Sequence, residues 1–454
     1  MTVEEEAEPA TALGALATLR DLFKGDRLAS ALARGSSQAF AISIASVVFG
    51  FATQWILART LGTQSFGAYV YVTGWATTIL LVVKLELDTV AVRFVSAYTE
   101  GRADPAKLKG LLRFLFSTGL GVSSLAGLIG AVALLVTPGA LTSELGRAAL
   151  VGSAMVPVMA VLMIAGGALQ GHHRILQAQT PFYVVRPLVF VVALVAALAL
   201  TRQGEGLTAP RALALNVFAT ILATMVSLRW LRQAVGRTSA QPTYARREWL
   251  RTGVGLLPAS MAQQALGQTT DVILVGTMLS TSAAGIYSIA GQITMFVAFG
   301  IAAVATMAAP MIAALHERGD KSELRRLVVM VARVNLAYTI PAYVFLVVAG
   351  GWILSLFGPD FRSGYPILLV MGLRAVTAVI GGHAGTMLSM TGHQRDASII
   401  IGTCAALNLA LGVLMTLRFG VMGTATATLL ATTVRNAWLP IVAGRRLGVS
   451  LRPW

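Results

Sequence analysis

The sequence predicts an all-α polytopic membrane protein, with about twelve transmembrane helices in two six-helix lobes. Three observations predict this fold: a high apolar content, apolar segments of membrane length, and a one-sided distribution of basic residues. Apolar residues make up 56% of the chain and charged residues 12%, whereas soluble domains average ~45–50% and ~25%. The net charge of +16 is carried by the short loops between spans. Basic residues in such loops set the topology and attract anionic lipid headgroups, so we expect no nucleic-acid partner.

Each apolar segment has about the ~20 residues that an α-helix needs to cross ~30 Å of hydrocarbon. Regular gaps that contain charged or turn-forming residues separate the segments. The predicted spans are residues 35–57, 67–87, 110–136, 148–170, 182–200, 212–231, 252–279, 284–308, 327–350, 365–388, 397–417 and 421–443.

The basic residues indicate which side of the membrane each gap faces. Of the 35 Lys and Arg, 24 lie in gaps on one side, 6 in gaps on the other and 5 within spans. An excess of Lys and Arg marks cytoplasmic loops, so both termini are predicted to be cytoplasmic. The predicted organisation is a cytoplasmic tip with an interfacial amphipathic helix (1–34), a first lobe (35–231), a basic linker (232–251), a second lobe (252–443) and a cytoplasmic tail (444–454).

The two predicted lobes are related by an internal repeat. Residues 61–69 read LGTQSFGAY and residues 279–287 read LSTSAAGIY, so that Leu, Thr, Gly and Tyr match at the same four positions. Both stretches fall in the outer turn between the first two spans of a six-span set. An even number of spans makes the repeat parallel, and two bundles that rock around a central site are typical of transporters.

Four arginines fall within the predicted spans: Arg374, Arg435, Arg333 and Arg186. An arginine at mid-bilayer costs ~2.5–3.5 kcal/mol on insertion scales, unless it faces a cavity or a partner. These residues therefore predict a cationic, water-filled cavity that binds an anionic substrate. The alternative is that their side chains reach the membrane surface and form local salt bridges.

The seventh span is predicted to carry a polar face. Gln264, Gln268 and Asp271 are spaced four and three residues apart and so share one face, shortly after Pro258, which permits a helix break. Asp271 is the only acid placed deep in a span, and the sequence leaves open whether it is a coupling acid or an ion-pair partner. Further polar residues predicted to line the cavity are Gln263, Gln292 and Asn335.

A charged cluster lies at the cytoplasmic end of the second span. Asp88 can pair with Lys84 four residues earlier or with Arg93. Lys84, Asp88 and Arg93 are therefore predicted to form a cytoplasmic gate.

Two stretches carry a resemblance to a known family. Residues 56–69, followed by LDTVAVRFV at 87–95, and TTDVILVGTMLSTSAAGIYSIA at 269–290 resemble polysaccharide-type flippases of the multidrug/oligosaccharidyl-lipid/polysaccharide superfamily. The resemblance implies alternating-access transfer of undecaprenyl-pyrophosphate-linked oligosaccharide from the cytoplasmic to the outer leaflet of a bacterial inner membrane. It further implies H⁺ or Na⁺ coupling, contact with membrane lipids, and polysaccharide polymerase or glycosyltransferase partners.

Other classes of function fit the sequence less well. A multidrug/cation antiporter is the main alternative, but the deep charges are mainly arginines, which disfavour cationic substrates. No histidine pair has metal-ligand spacing and no Gly-rich phosphate loop precedes a lysine, so we predict no catalytic site, no metal and no cofactor. A scaffold of a glycan-synthesis complex would leave the arginines within the spans unexplained.

Overall fold

The fold is a bundle of long helices that covers the predicted spans, but the seventh and the tenth predicted spans are each divided between two helices. The computed structural model describes residues 27–99, 104–200, 206–236, 240–318, 321–381 and 384–447, and this part of the chain contains no β-strand. The predicted cytoplasmic tip and most of the interfacial helix (residues 1–26), and residues 448–454 of the tail, lie outside the described residues. The helices are α1 (Arg27–Val83), α2 (Leu87–Thr99), α3 (Pro105–Val136), α4 (Glu144–Gly171), α5 (Ile175–Thr180), α6 (Arg186–Leu200), α7 (Ala209–Val235), α8 (Arg246–Ala265), α9 (Gln268–Met278), α10 (Thr281–Glu317), α11 (Lys321–Ser355), α12 (Tyr365–Ile380), α13 (Ala384–Met390) and α14 (Gln394–Leu447).

Several helices have the length and composition of transmembrane spans. Seven described helical stretches are long and apolar enough to cross a membrane, and the two longest have 39 and 53 residues. Because ~20 residues suffice for one crossing, each of these two holds two spans. Both bend at a glycine with non-helical dihedral angles, Gly62 in α1 and Gly420 in α14. The predicted polytopic all-α membrane fold is therefore confirmed.

The seventh span is broken, contrary to the single span predicted over 252–279. α8 ends at Ala265 and α9 begins at Gln268, so the break lies at Leu266 and Gly267, while Pro258 lies inside α8. Side chains replace hydrogen bonds that the helix loses at the break. Asn408 Nδ2 donates to the Ala265 carbonyl (2.9 Å), and Thr270 Oγ1 donates to the Gln264 carbonyl (2.8 Å). Such replacement is what allows a break within a membrane.

The third span begins at a helix cap formed by Asp104. Asp104 precedes Pro105, the first residue of α3, and its carboxylate accepts a hydrogen bond from the Lys107 N–H at 2.9 Å. This hydrogen bond lowers the pKa of Asp104, so the cap stays ionised and satisfies a free helix donor.

The start of the seventh span packs on the first half of the chain. Trp249, in the first turn of α8, is fully buried, lies 5.4 Å from the Phe114 ring and donates from Nε1 to the Tyr98 hydroxyl (3.1 Å). One turn later, a Cβ on Gly253 would lie 2.3 Å from the Leu85 carbonyl. Both α8 and α9 also pack against α14 in the second half. One span is therefore shared between the two halves.

The two halves meet along a close contact that we call the outer seam, formed by residues 63–67 and 281–285. A Cβ on Gly67 would lie 1.8 Å from the Thr281 carbonyl oxygen, and a Cβ on Gly285 would lie 2.8 Å from that of Thr63. Thr63 matches Thr281, and Gly67 matches Gly285, in the internal repeat. The repeated turns therefore pack on each other reciprocally, and neither glycine leaves room for a side chain.

Side chains of both halves extend the outer seam. It lies at the predicted outer side, opposite the basic loops. Edge-to-face ring pairs join Phe51 to Phe357 and Phe66 to Phe361, and hydrogen bonds join Trp55 to the Leu356 carbonyl and Tyr71 to Thr277.

Gly67→Ala is expected to destabilise the closed outer seam, because the added Cβ would overlap the Thr281 carbonyl. Overpacking costs about 1–3 kcal/mol, which corresponds to a roughly 5- to 150-fold smaller population of the closed form. Spin labels at Thr142 and Asp360, which are exposed in the first and second half, would report the separation by pulsed electron paramagnetic resonance. The labels require a Cys404→Ser background, and longer distances are expected.

Gly121→Ala is the matched control, because a Cβ at Gly121 would have nothing within 4 Å. It should leave the distance distribution unchanged. If Gly67→Ala also leaves the distribution unchanged, the glycine contact does not hold the seam closed.

Candidate functional site

The second half of the chain contains a buried carboxylate, Asp271. Its side chain is 2% exposed and lies in the first turn of α9. Tyr287 donates to Oδ2 (2.8 Å) and Thr428 donates to Oδ1 (2.9 Å), so α9, α10 and α14 all meet at this group. Both carboxylate oxygens thus have a hydrogen-bond donor, which a buried charge requires.

Two of the predicted arginines are linked to this carboxylate, one directly and the other through the first. Arg374, half-buried in α12, interacts electrostatically with Asp271 and with Arg435 of α14. Arg435 donates from Nε and Nη2 to the Asn436 amide oxygen (3.2 and 3.1 Å). The structure therefore brings Arg374, Arg435 and Asp271 together in a cluster with two positive charges and one negative charge. We call these three residues the second-half cluster.

Arg186 belongs to a different cluster, in the first half. It directly follows a π-helical turn formed by residues Pro181–Val185, and π-turns within helices frequently mark functional sites. Arg186 donates from Nε and Nη2 to the Asn216 amide oxygen (3.3 and 3.1 Å), and Asn216 Nδ2 donates to the Tyr69 hydroxyl (2.7 Å). Arg186, Asn216 and Tyr69 form what we call the first-half cluster.

The fourth arginine, Arg333, belongs to neither cluster. It lies in α11 with its side chain exposed and, within the described ranges, makes no hydrogen bond or ion pair. Its role in binding a substrate therefore stays a prediction from the sequence.

The polar residues predicted to line the cavity occupy different environments. Gln264 lies before the helix break and Gln268 after it, so the continuous face predicted with Asp271 does not form. Gln268 Nε2 donates to the Ser288 carbonyl (2.9 Å), whereas the Asn335 amide oxygen is buried without a partner in the part of the chain that the structure describes. Gln263 is exposed, and Gln264 and Gln292 are half-buried.

The predicted cytoplasmic gate contains a buried ion pair. Lys84 is 5% exposed and lies 2.7 Å from Asp88 and 3.5 Å from Glu86. Arg93 is exposed and lies over the Phe94 ring (5.5 Å), so Asp88 pairs with Lys84 and not with Arg93. Leu85 and Glu86 between them have positive φ angles of 52° and 54°, which are uncommon for residues with side chains.

Three residues in or next to these clusters were missed by reasoning from the sequence: Tyr69, Tyr287 and Asn216. Tyr69 and Tyr287 bind Asn216 and Asp271, respectively, and they are the matching tyrosines of the internal repeat. Their matching positions in the repeat were therefore the signal in the sequence that could have identified the two tyrosines. Asn216 carried a similar signal, as a strongly polar residue within the apolar sixth span.

Comparison with known proteins agrees with the fold. Residues 258–414 match the family described as MatE. Among solved structures, an inward-facing MATE-family multidrug resistance transporter superposes with a TM-score of 0.70 at 11% identity, with coverage of 89% of this chain and 94% of that one. The lipid II flippase MurJ in an inward closed conformation superposes with a TM-score of 0.68 at 15% identity and 90% coverage of both chains. At these identities the likeness concerns the fold alone.

Two curated proteins of Haloferax volcanii are similar in sequence. The probable flippase AglR is 30% identical over 167 residues, which cover 36% of this chain and 35% of AglR. The probable low-salt glycan biosynthesis flippase Agl15 is 22% identical over 224 residues, with coverage of 48% and 47%. The chain thus spans between a third and a half of the length of the curated relatives it matches.

The broadest match is to a family described as polysaccharide biosynthesis protein. It extends over residues 32–316, which is more than half of the chain and includes the outer seam, the first-half cluster and Asp271. The chain therefore belongs to the polysaccharide biosynthesis protein family.

Proposed function

We propose that this protein is a flippase for lipid-linked glycans. It would move an undecaprenyl-pyrophosphate-linked oligosaccharide from the cytoplasmic to the outer leaflet of a bacterial inner membrane, with both termini in the cytoplasm. Membership of the polysaccharide biosynthesis family and similarity to proteins named as probable flippases support the class of function. The excess of basic residues in alternate gaps supports the orientation, and a cysteine at Leu108 should label only from the inside.

The observation that carries the proposal is the second-half cluster. Arg374 and Arg435 lie close enough to repel each other, and the carboxylate of Asp271 attracts Arg374. A cluster with excess positive charge inside a membrane is costly without an anion. A pyrophosphate carries about two negative charges and is well matched to arginine forks. The cluster therefore suits an anionic headgroup.

The proposed transport cycle is alternating access. With the outer seam closed, the headgroup enters the cluster from the inner leaflet while the polyprenyl tail stays in lipid. Opening of the seam then exposes the headgroup to the outside. We assign Asp271 to H⁺ or Na⁺ coupling, because it is a deep carboxylate of α9 that accepts hydrogen bonds from both α10 and α14. Polymerase or glycosyltransferase partners would act before or after this step.

The runner-up function is a multidrug/cation antiporter, which the MatE match and the MATE-like fold favour. The second-half cluster argues against it, because two arginines beside one acid repel a cationic substrate. The two functions differ in the charge of the cargo and can be separated by one reconstituted assay.

The test uses proteoliposomes that contain the full chain and a fluorescent polyprenyl-pyrophosphate disaccharide. Leaflet transfer is followed with a glycan-cleaving enzyme added outside, and ethidium transport is measured in parallel. Protein-dependent transfer of the lipid without ethidium transport is the expected result. Ethidium transport without lipid transfer would overturn the flippase proposal in favour of the antiporter.

A further inference from the structure

The first-half cluster contains a basic side chain without an acidic partner. No carboxylate within the described ranges lies within ion-pair distance of Arg186, and its only described electrostatic partner is Tyr69. Its side chain is half-buried between α1, the π-turn and α7. An unpaired arginine in a membrane span costs ~2.5–3.5 kcal/mol on insertion scales, so an anion at this position would be stabilised.

The guanidinium of Arg186 is held in place, but only some of its N–H groups donate hydrogen bonds. Two N–H groups donate to the same Asn216 oxygen, and the Phe182 ring lies 5.5 Å from Cζ. A guanidinium has five N–H donors, so three donors remain for a ligand. Asn216 is itself fixed by its hydrogen bond to Tyr69. The geometry is therefore that of a pre-oriented anion-binding fork.

The two repeats differ in the groups that contact their matching tyrosines. Tyr69 and Tyr287 match, but Tyr69 accepts from an amide whereas Tyr287 donates to the carboxylate of Asp271. The offset that aligns the tyrosines places Thr53 opposite Asp271. Thr53 is buried and donates to the Phe49 carbonyl. The first half therefore lacks the acid that partly compensates the arginines of the second half.

We infer that Arg186 is a second anion-binding site, in the first half, that takes the phosphoryl group of the lipid-linked substrate. This inference rests on the proposed flippase function and adds a binding residue apart from the second-half cluster. A phosphoryl group fits because it accepts two parallel N–H bonds from one guanidinium. The two halves would then divide the work: the first binds only the anionic headgroup, and the second binds both headgroup and coupling ion.

The test measures binding of geranylgeranyl pyrophosphate to the full chain in phosphatidylcholine nanodiscs. A charged hydrogen bond contributes about 1.5–3 kcal/mol, so Arg186→Gln should weaken binding roughly 10- to 100-fold. Asn216→Asp should weaken it similarly, because it keeps the side-chain shape but gives Arg186 an internal carboxylate. Arg186→Lys, which keeps the charge but loses the fork, should give an intermediate loss.

The matched control is Arg147→Gln, which removes an exposed arginine of α4. Melting temperatures would show that all variants are folded. If Arg186→Gln and Asn216→Asp both bind the probe as tightly as this control, Arg186 is not an anion site. Inorganic pyrophosphate serves as a competitor. Competition at the same concentration as the prenylated probe would overturn the assignment to a lipid headgroup.

The same variants distinguish this inference from the proposed function. If the wild-type chain transfers the lipid and both variants bind and transfer normally, the site at Arg186 is wrong and the flippase function stands. If binding depends on Arg186 but the wild-type chain transfers no lipid, the anion site stands and the flippase function fails.

Discussion

Arg374→Ala or Arg435→Ala is expected to lower lipid transfer at least ~30-fold in the proteoliposome assay. Each change removes one of the two positive charges of the second-half cluster, in which Arg374 interacts with both Asp271 and Arg435. Truncation of one member of a desolvated charged contact costs about 2–5 kcal/mol, and 1.4 kcal/mol corresponds to a tenfold change. The effect should appear at the step of substrate binding, because the arginines attract the headgroup electrostatically.

Arg418→Ala is the matched control for these two variants. Arg418 lies in α14, as Arg435 does, but its side chain is exposed next to the bend at Gly420. It should reach the membrane and transfer lipid at the wild-type rate. Full transfer by both Arg374→Ala and Arg435→Ala would remove the second-half cluster from the mechanism.

Asp271→Asn is expected to abolish the response of transfer to an ion gradient. The amide keeps the size of the side chain but cannot carry the negative charge that a proton or Na⁺ would neutralise. Transfer would be measured with and without an imposed H⁺ or Na⁺ gradient. The variant should transfer at the same rate in both conditions, whereas the wild-type rate should rise with the gradient.

The competing role of Asp271, as a structural ion-pair partner, makes a different prediction. In that case Asp271→Asn would lower the melting temperature and slow transfer by the same factor with and without the gradient. Tyr287→Phe is a useful companion, because it removes one hydrogen bond from Oδ2 and leaves the carboxylate. It should retain the gradient response if the charge of Asp271 is what matters.

The sequence was sufficient for the features that depend on regular patterns. Span lengths and the charge of the loops predicted the polytopic fold, and the matching turns at residues 61–69 and 279–287 predicted the repeat. The proximity of Arg374, Arg435 and Asp271 could be anticipated, because a membrane forces charged residues toward a shared interior.

Features that depend on contacts between distant residues could not be anticipated. The break at Leu266 and Gly267 is stabilised by Asn408, which is far away in the sequence. The π-turn before Arg186 similarly packs against α1, α4 and α7, and such packing has no periodic signal. The sequence therefore grouped Arg186 with the other arginines, whereas the structure places it with Asn216 and Tyr69.

The burial of Trp249 has a consequence for where the chain would bend in the proposed transport cycle. The second copy begins near the start of α8. The first turn of α8, however, is held by Trp249 in a hydrophobic cluster of the first copy. If the halves rock as proposed, bending is expected within the seventh span, between Gly253 and the break at Gly267. The start of the second copy and this expected bending point would thus lie several helical turns apart. A two-chain version of the protein should be split before Arg246, so that the second chain keeps its own anchor.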